Sequence, residues 1–347
     1  MIVHQPISSL EKEKQVHAQI IKIVYDMGIS AETTILSMYV KCGSIDYAWN
    51  VFEKIPKQNL ISWNAMIAGF AQYGYAKEAL YHFNEMQMEG IQTNHVTLTS
   101  LLNACSSPES LEKGKQLPSI VVKAGLDTNI LVGNTLVTMY AKCKDIKDAC
   151  RLFIGMTEQD VASWNMMIAG YIQNGCYNEA LVLFWEMQHA GMVLNQFTLA
   201  NVLSACLFPE ALEKGKQVHA HLIKTGFEFD VALMNALVTM YIKCGSLGEA
   251  YGLFRETPNR DAISWSTMIA GCAQYGYSEV ALKLSYQMHL VDMKMNQMTF
   301  ASVLRACATL AALEQGKQFH ALSLRMDQIQ ICLYVMLLLP CMRNVQV

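Results

Sequence analysis

The stretch ISWNAMIAGFAQYG, Ile61–Gly74, returns as ASWNMMIAGYIQNG at Ala162–Gly175 and as ISWSTMIAGCAQYG at Ile263–Gly276, each time 101 residues further on. Other marks keep the interval: Trp63, Trp164 and Trp265; Cys105, Cys206 and Cys307; EKGKQ at Glu112 and Glu213, then EQGKQ at Glu314. A fixed period without drift means one structural unit copied in tandem. Stacked copies bury a continuous core, so the length of 347 residues does not imply separate globular domains.

Hydrophobic residues make up 52% of the chain and charged residues 16%, the composition of an ordered protein. A net charge of −3 gives no global electrostatic case for nucleic acid. Most of the 11 cysteines fall at period-related places, such as Cys42, Cys143 and Cys244, with neither CxxC pairs nor zinc-type spacing. They read as small buried residues in helix contacts. No apolar run reaches the roughly 18 residues of a membrane span. The start, MIVHQPISSLEKEKQVHAQ, has no signal-peptide core and no transit-peptide composition. Phosphate-cradling glycine loops, deaminase HxE…PCxxC constellations and nucleophile elbows are absent, so the chain is expected not to be an enzyme and to need no cofactor or metal.

The interval divides into three helical hairpins. LISWNAMIAGFAQYG, from Leu60, reads as a first helix ending at a Gly74 turn. YAKEALYHFNEMQMEG reads as its partner, with an apolar stripe of Ala79, Leu80, Phe83 and Met86 and a stop at Gly90. The second hairpin starts at His95, uses Ser107 as an N-cap before Pro108, and ends at Gly125, as its copy ends at Gly226. The third is shorter, and its copy has Ser246 and Glu249 in capping-box spacing. No strand-type alternation competes, so an all-α solenoid is expected. Frames of 35, 35 and 31 residues place complete repeats at 29–59, 60–94, 95–129, 130–160, 161–195, 196–230, 231–261 and 262–296. A partial repeat would occupy 1–28 and an incomplete one 297–325.

This order of hairpin lengths resembles the plant pentatricopeptide-repeat proteins of the P–L–S subclass. SWNAMIAGFAQYGYAKEALYHFNEMQMEGIQTN looks like their P repeat, TLTSLLNACSSPESLEKGKQ like their L repeat, and NALVTMYIKCGSLGEA, from Asn235, like their S repeat. The resemblance covers residues 8 to about 325. It implies a right-handed superhelical solenoid that binds single-stranded RNA, one nucleotide per repeat. Each base would be read by the fifth residue of a repeat's first helix together with the repeat's last residue. Amides, hydroxyls and carboxylates at these places supply the donors and acceptors that base discrimination requires.

Carried over by position, the resemblance implies that Thr33 with Asn59 reads adenine, as does Ser266 with Asn296. Asn64 with Asn94, and Asn165 with Asn195, would read a pyrimidine with cytosine preferred. Asn134 with Asp160, and Asn235 with Asp261, would read uracil. The L repeats depart from the pattern: Thr99 with Asn129 could read adenine, but Ala200 and Ala301 cannot hydrogen-bond a base edge. The resemblance further implies a mitochondrial or chloroplast location and a role in RNA processing, chiefly site selection for C-to-U editing. This chain has no carboxy-terminal deaminase-like domain, so an editing deaminase or accessory factor would act in trans. No membrane and no small-molecule substrate are implied.

Each of these readings has a plainer alternative. The asparagines could merely solvate an inner helix face. Trp63, Trp164 and Trp265 could stack on bases, though their place beside the apolar stripe favours packing. Lys113, Lys115, Lys214, Lys216 and Lys317 could meet phosphates or lie on a solvated helix face, and His219 and His320 read as structural. The chain as a whole could be a protein-binding scaffold, but scaffolds of the tetratricopeptide type keep one length near 34 residues. It could also be a truncated product without function.

After Arg325 the repeat pattern stops, in MDQIQICLYVMLLLPCMRNVQV. Back-translated with permitted codons and shifted by one added nucleotide, this tail reads NGSDSDLSVCNALVTMYAKC, the opening of another S repeat. Residues 326–347 are therefore expected to be out-of-frame translation, with their apolar run accidental.

Overall fold

The computed structural model describes residues 29–227 and 230–325. The partial repeat expected over 1–28 and the tail over 326–347 lie outside the described residues. All regular structure among the described residues is helical. Two compact units are present, Met1–Cys176 and Tyr177–Val347.

In the first unit, Ile29–Lys41 pairs with Ile45–Lys54, Leu60–Gln72 with Ala76–Met88, and Ile130–Lys142 with Ile146–Gly155. The first helices also pack directly on one another in the order Ile29–Lys41, Leu60–Gln72, His95–Ala104, Ile130–Lys142 and Val161–Gln173. They form one layer, and the second helices form the other. The second unit repeats the plan, with Gln196–Ser204, Val231–Lys243, Ala262–Gln274 and Gln297–Thr309 packed in series. No helix among the described residues is long and apolar enough to cross a membrane.

The repeated phrase is written by this packing. Its Met-Ile pairs, Met66 and Ile67, Met167 and Ile168, Met268 and Ile269, are fully buried. Its Trp residues are buried too, each edge-on to a Phe of the preceding hairpin: Phe52–Trp63 at 4.7 Å, Phe153–Trp164 at 5.2 Å and Phe254–Trp265 at 5.0 Å. They serve packing and are not free to stack on bases. The closing glycines Gly74, Gly175 and Gly276 have φ of +80°, +76° and +84°, the left-handed conformation that ends a helix with little strain.

The mid-helix glycine of the phrase marks a close approach. A Cβ at Gly170 would lie 2.9 Å from the Cβ of Ala141, an atom that cannot swing aside because it is bonded to the backbone. At Gly69 and Gly271 the neighbours are methyls of Val40 and Ile242, which can rotate. Gly170→Ala is therefore expected to cost about 1–3 kcal/mol of stability by overpacking. Adding Ala141→Gly should restore most of it. Urea midpoints of the single and double variants check this, and an unchanged midpoint for Gly170→Ala would refute the close-approach account.

Several local expectations need correction. Ser107 stands before Pro108 but makes no capping bond to the backbone; its hydroxyl turns to Ser110 Oγ at 3.2 Å, and a short 3-10 turn, Pro108–Ser110, follows. The second helix of this hairpin is broken into Leu111–Gly114 and Leu117–Lys123, whereas its copy Leu212–Lys224 is continuous. Pro118, where the copy has His219, supplies no N–H to continue the ladder. Ser246 and Glu249 do not form a capping box, since the Ser246 side chain makes no capping hydrogen bond; its backbone stands at φ −92°, ψ 65°. Leu80 is only half-buried beside fully buried Ala79, Phe83 and Met86. Cys42 is exposed, although its copies Cys143 and Cys244 are buried.

Candidate nucleic-acid interface

The last residue of each frame is also the residue that starts the next helix. Asn59, Asn94, Asn129, Asp160, Asn195, Asp261 and Asn296 all occupy N-cap positions. In each, a side-chain oxygen accepts from backbone N–H groups of the helix's first turn, which have no partner inside the helix. This role orients the amide. The end that meets a backbone N–H must be oxygen, so the NH2 of a capping Asn points elsewhere.

The fifth residue of three repeats reaches this cap. Asn64 Nδ2 donates to Asn94 Oδ1 at 3.2 Å, Asn134 Nδ2 to Asp160 Oδ1 at 3.4 Å, and Asn235 Nδ2 to Asp261 Oδ1 at 3.2 Å. Ser266 and Asn296 are joined through the Thr299 hydroxyl, 2.7 Å from Ser266 Oγ and 2.9 Å from Asn296 Oδ1. The Thr99 repeat is different: Thr99 Oγ1 donates to the carbonyl of Val96 at 3.1 Å, while Asn129 Oδ1 accepts from the N–H of Val132. Ala200 and Ala301 bring no polar group. Thr33 is buried in the first unit. Asn165 and Asn195 fall in different units, and Asn165 is buried with no hydrogen bond to its Oδ1.

Burial divides the Asn134–Asp160 and Asn235–Asp261 pairs into an inner and an outer member, whereas Asn64 and Asn94 are both half-buried. Asn134 is 3% exposed and Asn235 9%, whereas Asp160 is exposed and Asp261 half-exposed. The fifth residue thus sits beneath, and the capping residue presents an edge. All hydrogen bonds to Asp160 and Asp261 from the Asn and Ser side chains and the capped N–H of Ser163 and Ser264 end on Oδ1, which leaves Oδ2 outside these bonds. Burial pushes both carboxyls up. The N–H and hydroxyl of Ser163 or Ser264, with the amide of Asn134 or Asn235, outweigh it and hold both below the usual aspartate range. The remaining edge is therefore a pure acceptor in the Asp repeats and an NH2 donor in the Asn repeats.

A further set of residues was not singled out from the sequence. Ile61, Val96, Leu131, Phe197, Ile263 and Met298 stand at the second place of their frames, and their exposure runs from 40% at Val96 to 66% at Met298. Three residues before the fifth position, each shares its helix face. The signal was available as an apolar residue recurring just inside each capping residue. It was hidden because the same residues also fit an ordinary apolar stripe.

Four lysines of the EKGKQ copies are engaged locally. Lys115, Lys216 and Lys317 pair with Glu112, Glu213 and Glu314 at 3.3, 2.9 and 2.9 Å, and Lys214 donates to Asn178 Oδ1 at 2.8 Å. His219 Nδ1 lies 2.9 Å from the Tyr241 hydroxyl, and burial lowers its basicity. The thiols of Cys143 and Cys244 donate to carbonyls at the end of the preceding first helix, Cys105 and Ser107 in one case and Cys206 and Phe208 in the other. Burial pushes the Cys105 and Cys206 thiols up to about 11 and about 12. These cysteines are structural.

Stacked hairpins that present a paired polar edge at each helix start define a helical-repeat protein, and family comparison gives the class. The family model described as PPR repeat family matches residues 58–107 and 159–207, and that described as PPR repeat matches 33–60, 134–161, 232–260 and 263–289. The chain belongs to the pentatricopeptide-repeat family. A pentatricopeptide repeat-containing protein of Arabidopsis thaliana is 39% identical over 303 residues, 87% of this chain and 42% of that protein. A chloroplastic relative from the same plant is 35% identical over 91% of this chain and 36% of its own length. A mitochondrial one is 36% identical over 90% and 41%. The chain thus spans well under half the length of these relatives. Among solved structures, the pentatricopeptide repeat protein PPR10 in complex with an 18-nt psaJ RNA element superposes with a TM-score of 0.63 at 17% identity, covering 88% of this chain and 47% of that one. That likeness concerns the fold.

Proposed function

We propose that the chain is a sequence-specific single-stranded RNA-binding protein that reads one base per repeat and performs no chemistry itself. The observation that carries this reading is the hydrogen-bonded pairing of the fifth residue with a capping residue, Asn in some repeats and Asp in others. An acceptor edge on Asp160 or Asp261 suits the N3–H of uracil. An NH2 edge on Asn94 suits the N3 acceptor of cytosine. The exposed apolar side chains at the second positions suit the faces of bases. The start of each first helix offers a partial positive charge to phosphates, which a net charge of −3 does not supply globally.

The P–L–S arrangement, the repeat frames given above and a right-handed winding belong to this reading. So do a chloroplast or mitochondrial location, as named for two of the relatives, and selection of RNA processing or C-to-U editing sites with a deaminase or accessory factor in trans. Amino terminus to 5′ end, the repeats from 29 to 296 should select A-Y-N-U-Y-N-U-A, where Y is a pyrimidine and N any base.

Selection from a randomised RNA pool tests this. Asn235→Ser with Asp261 kept should change preference at the seventh nucleotide alone, at a cost of about 1–3 kcal/mol for uracil, the scale of a specific base contact. An absence of positional preference, or a change spread over every nucleotide, would defeat the reading.

A further inference from the structure

Beneath each paired edge lies a third polar group, the hydroxyl three residues after the capping residue, on the next repeat's first helix. Thr97, Ser163, Ser264 and Thr299 occupy this place and are almost wholly buried. Thr97 Oγ1 lies 2.5 Å from Asn64 Oδ1 and 3.0 Å from Asn94 Oδ1. Ser163 and Ser264 donate to Asp160 Oδ1 and Asp261 Oδ1, each at 2.8 Å. Thr299 is the only link between Ser266 and Asn296 among the described hydrogen bonds.

A hydroxyl has one proton, which goes either to the cap or to the fifth residue. A carboxylate is the stronger acceptor, so in the Asp repeats the proton goes to the cap, and Asn134 Oδ1 is left buried without a partner. A neutral Asn cap competes less well, although Thr198 still donates to Asn195 Oδ1 at 2.9 Å. Thr97 then satisfies the carbonyl of Asn64, whose NH2 is thereby directed at Asn94. In the L repeats the same place holds Val132 and Leu233, which have no hydroxyl, and there the caps Asn129 and Asp230 accept only the backbone N–H from that residue. In the Thr33 repeat, Ser62 donates to the backbone carbonyl of Asn59 instead.

We infer that this hydroxyl is a positioning residue for base recognition: it fixes the orientation of the paired edge, and its absence at Val132 and Leu233 leaves the edges of Asn129 and Asp230 without that restraint. The inference rests on the RNA-reading function proposed above. It makes recognition depend on three residues drawn from two consecutive repeats, and the third never touches the RNA.

The test uses the full chain and RNAs that differ only at the nucleotide concerned. Thr97→Val keeps the side-chain shape and the backbone capping bond but removes the hydroxyl. It should reduce cytosine preference at the second nucleotide roughly 3- to 10-fold, the yield of one hydrogen bond, and leave other positions unchanged. Thr97→Ser should retain the preference, which a purely packing role for the side chain would not explain. The reverse experiment builds the group into an L repeat. Thr99→Asn with Val132→Thr should create pyrimidine preference at the third nucleotide, and Thr99→Asn alone should create less.

Wild-type protein without preference at any nucleotide would overturn the RNA-reading function and the inference together. Wild-type preference at the second nucleotide that survives in folded Thr97→Val overturns the inference alone. If Thr97→Val fails to fold, the L-repeat pair decides: equal preference with and without Val132→Thr overturns it.

Discussion

Asp261→Asn should convert the preference at the seventh nucleotide from uracil to cytosine. Asp261 Oδ1 is occupied by the N–H and hydroxyl of Ser264 and by the amide of Asn235, so Oδ2 is the edge that the proposed reading offers to a base. The carboxyl is ionised, because those donors outweigh the effect of burial, and its free edge can only accept. An Asn would keep its oxygen on the capped N–H and turn its NH2 outward, a donor that suits the N3 of cytosine and repels the N3–H of uracil. The change in discrimination should be about 1–3 kcal/mol, measured as the ratio of dissociation constants for two RNAs that differ at this nucleotide. Asn caps a helix about as well as Asp, so the melting temperature should hardly move. Retained uracil preference with an unchanged fold would show that the cap's outer edge does not read the base.

The second large effect concerns stability. Trp265→Ala should cost the second unit about 3–5 kcal/mol, the range for removing a buried aromatic side chain. Trp265 is 6% exposed, lies edge-on to Phe254 at 5.0 Å and is covered by the Arg260 guanidinium at 5.4 Å from its ring. It ties the hairpin of Val231–Lys243 and Leu247–Glu256 to the one that begins at Ala262. Each hairpin in a stacked array leans only on its neighbours, so the damage should stay local. Hydrogen exchange should accelerate across 231–296 while the helices over 60–142 remain protected. Uniform acceleration over the whole chain would argue against neighbour-limited stability.

The hairpins and their glycine stops were legible because a period of 101 residues repeats each local signal three times. Gly74, Gly90, Gly125 and Gly226 all end helices with positive φ, as their places imply. The capping errors have a common cause. Ser246 and Ser107 have the right chemistry, but a capping bond also depends on backbone angles and on competing acceptors, which residue identity does not show. For the candidate site, the family resemblance named which residues pair, and the structure brings together Asn64 with Asn94, Asn134 with Asp160 and Asn235 with Asp261. It did not reveal that one member caps a helix, or that Asn134 and Asn235 are buried. Nor could it separate Ile61 or Met298, which are exposed, from apolar neighbours of the same type that fill the core.

On the proposed reading the edge offered to a base is also the start of the next helix, and this limits how such a protein can evolve. Few side chains cap well, chiefly Asn, Asp, Ser and Thr, and most others forfeit about 1 kcal/mol at every position where they replace one. Drift at these places is filtered by folding before any RNA is met, which leaves a small alphabet. Within that alphabet an exchange of Asn for Asp takes a single base change in a gene and leaves the helix start intact. A lineage can therefore move from one target sequence to another through intermediates that all fold.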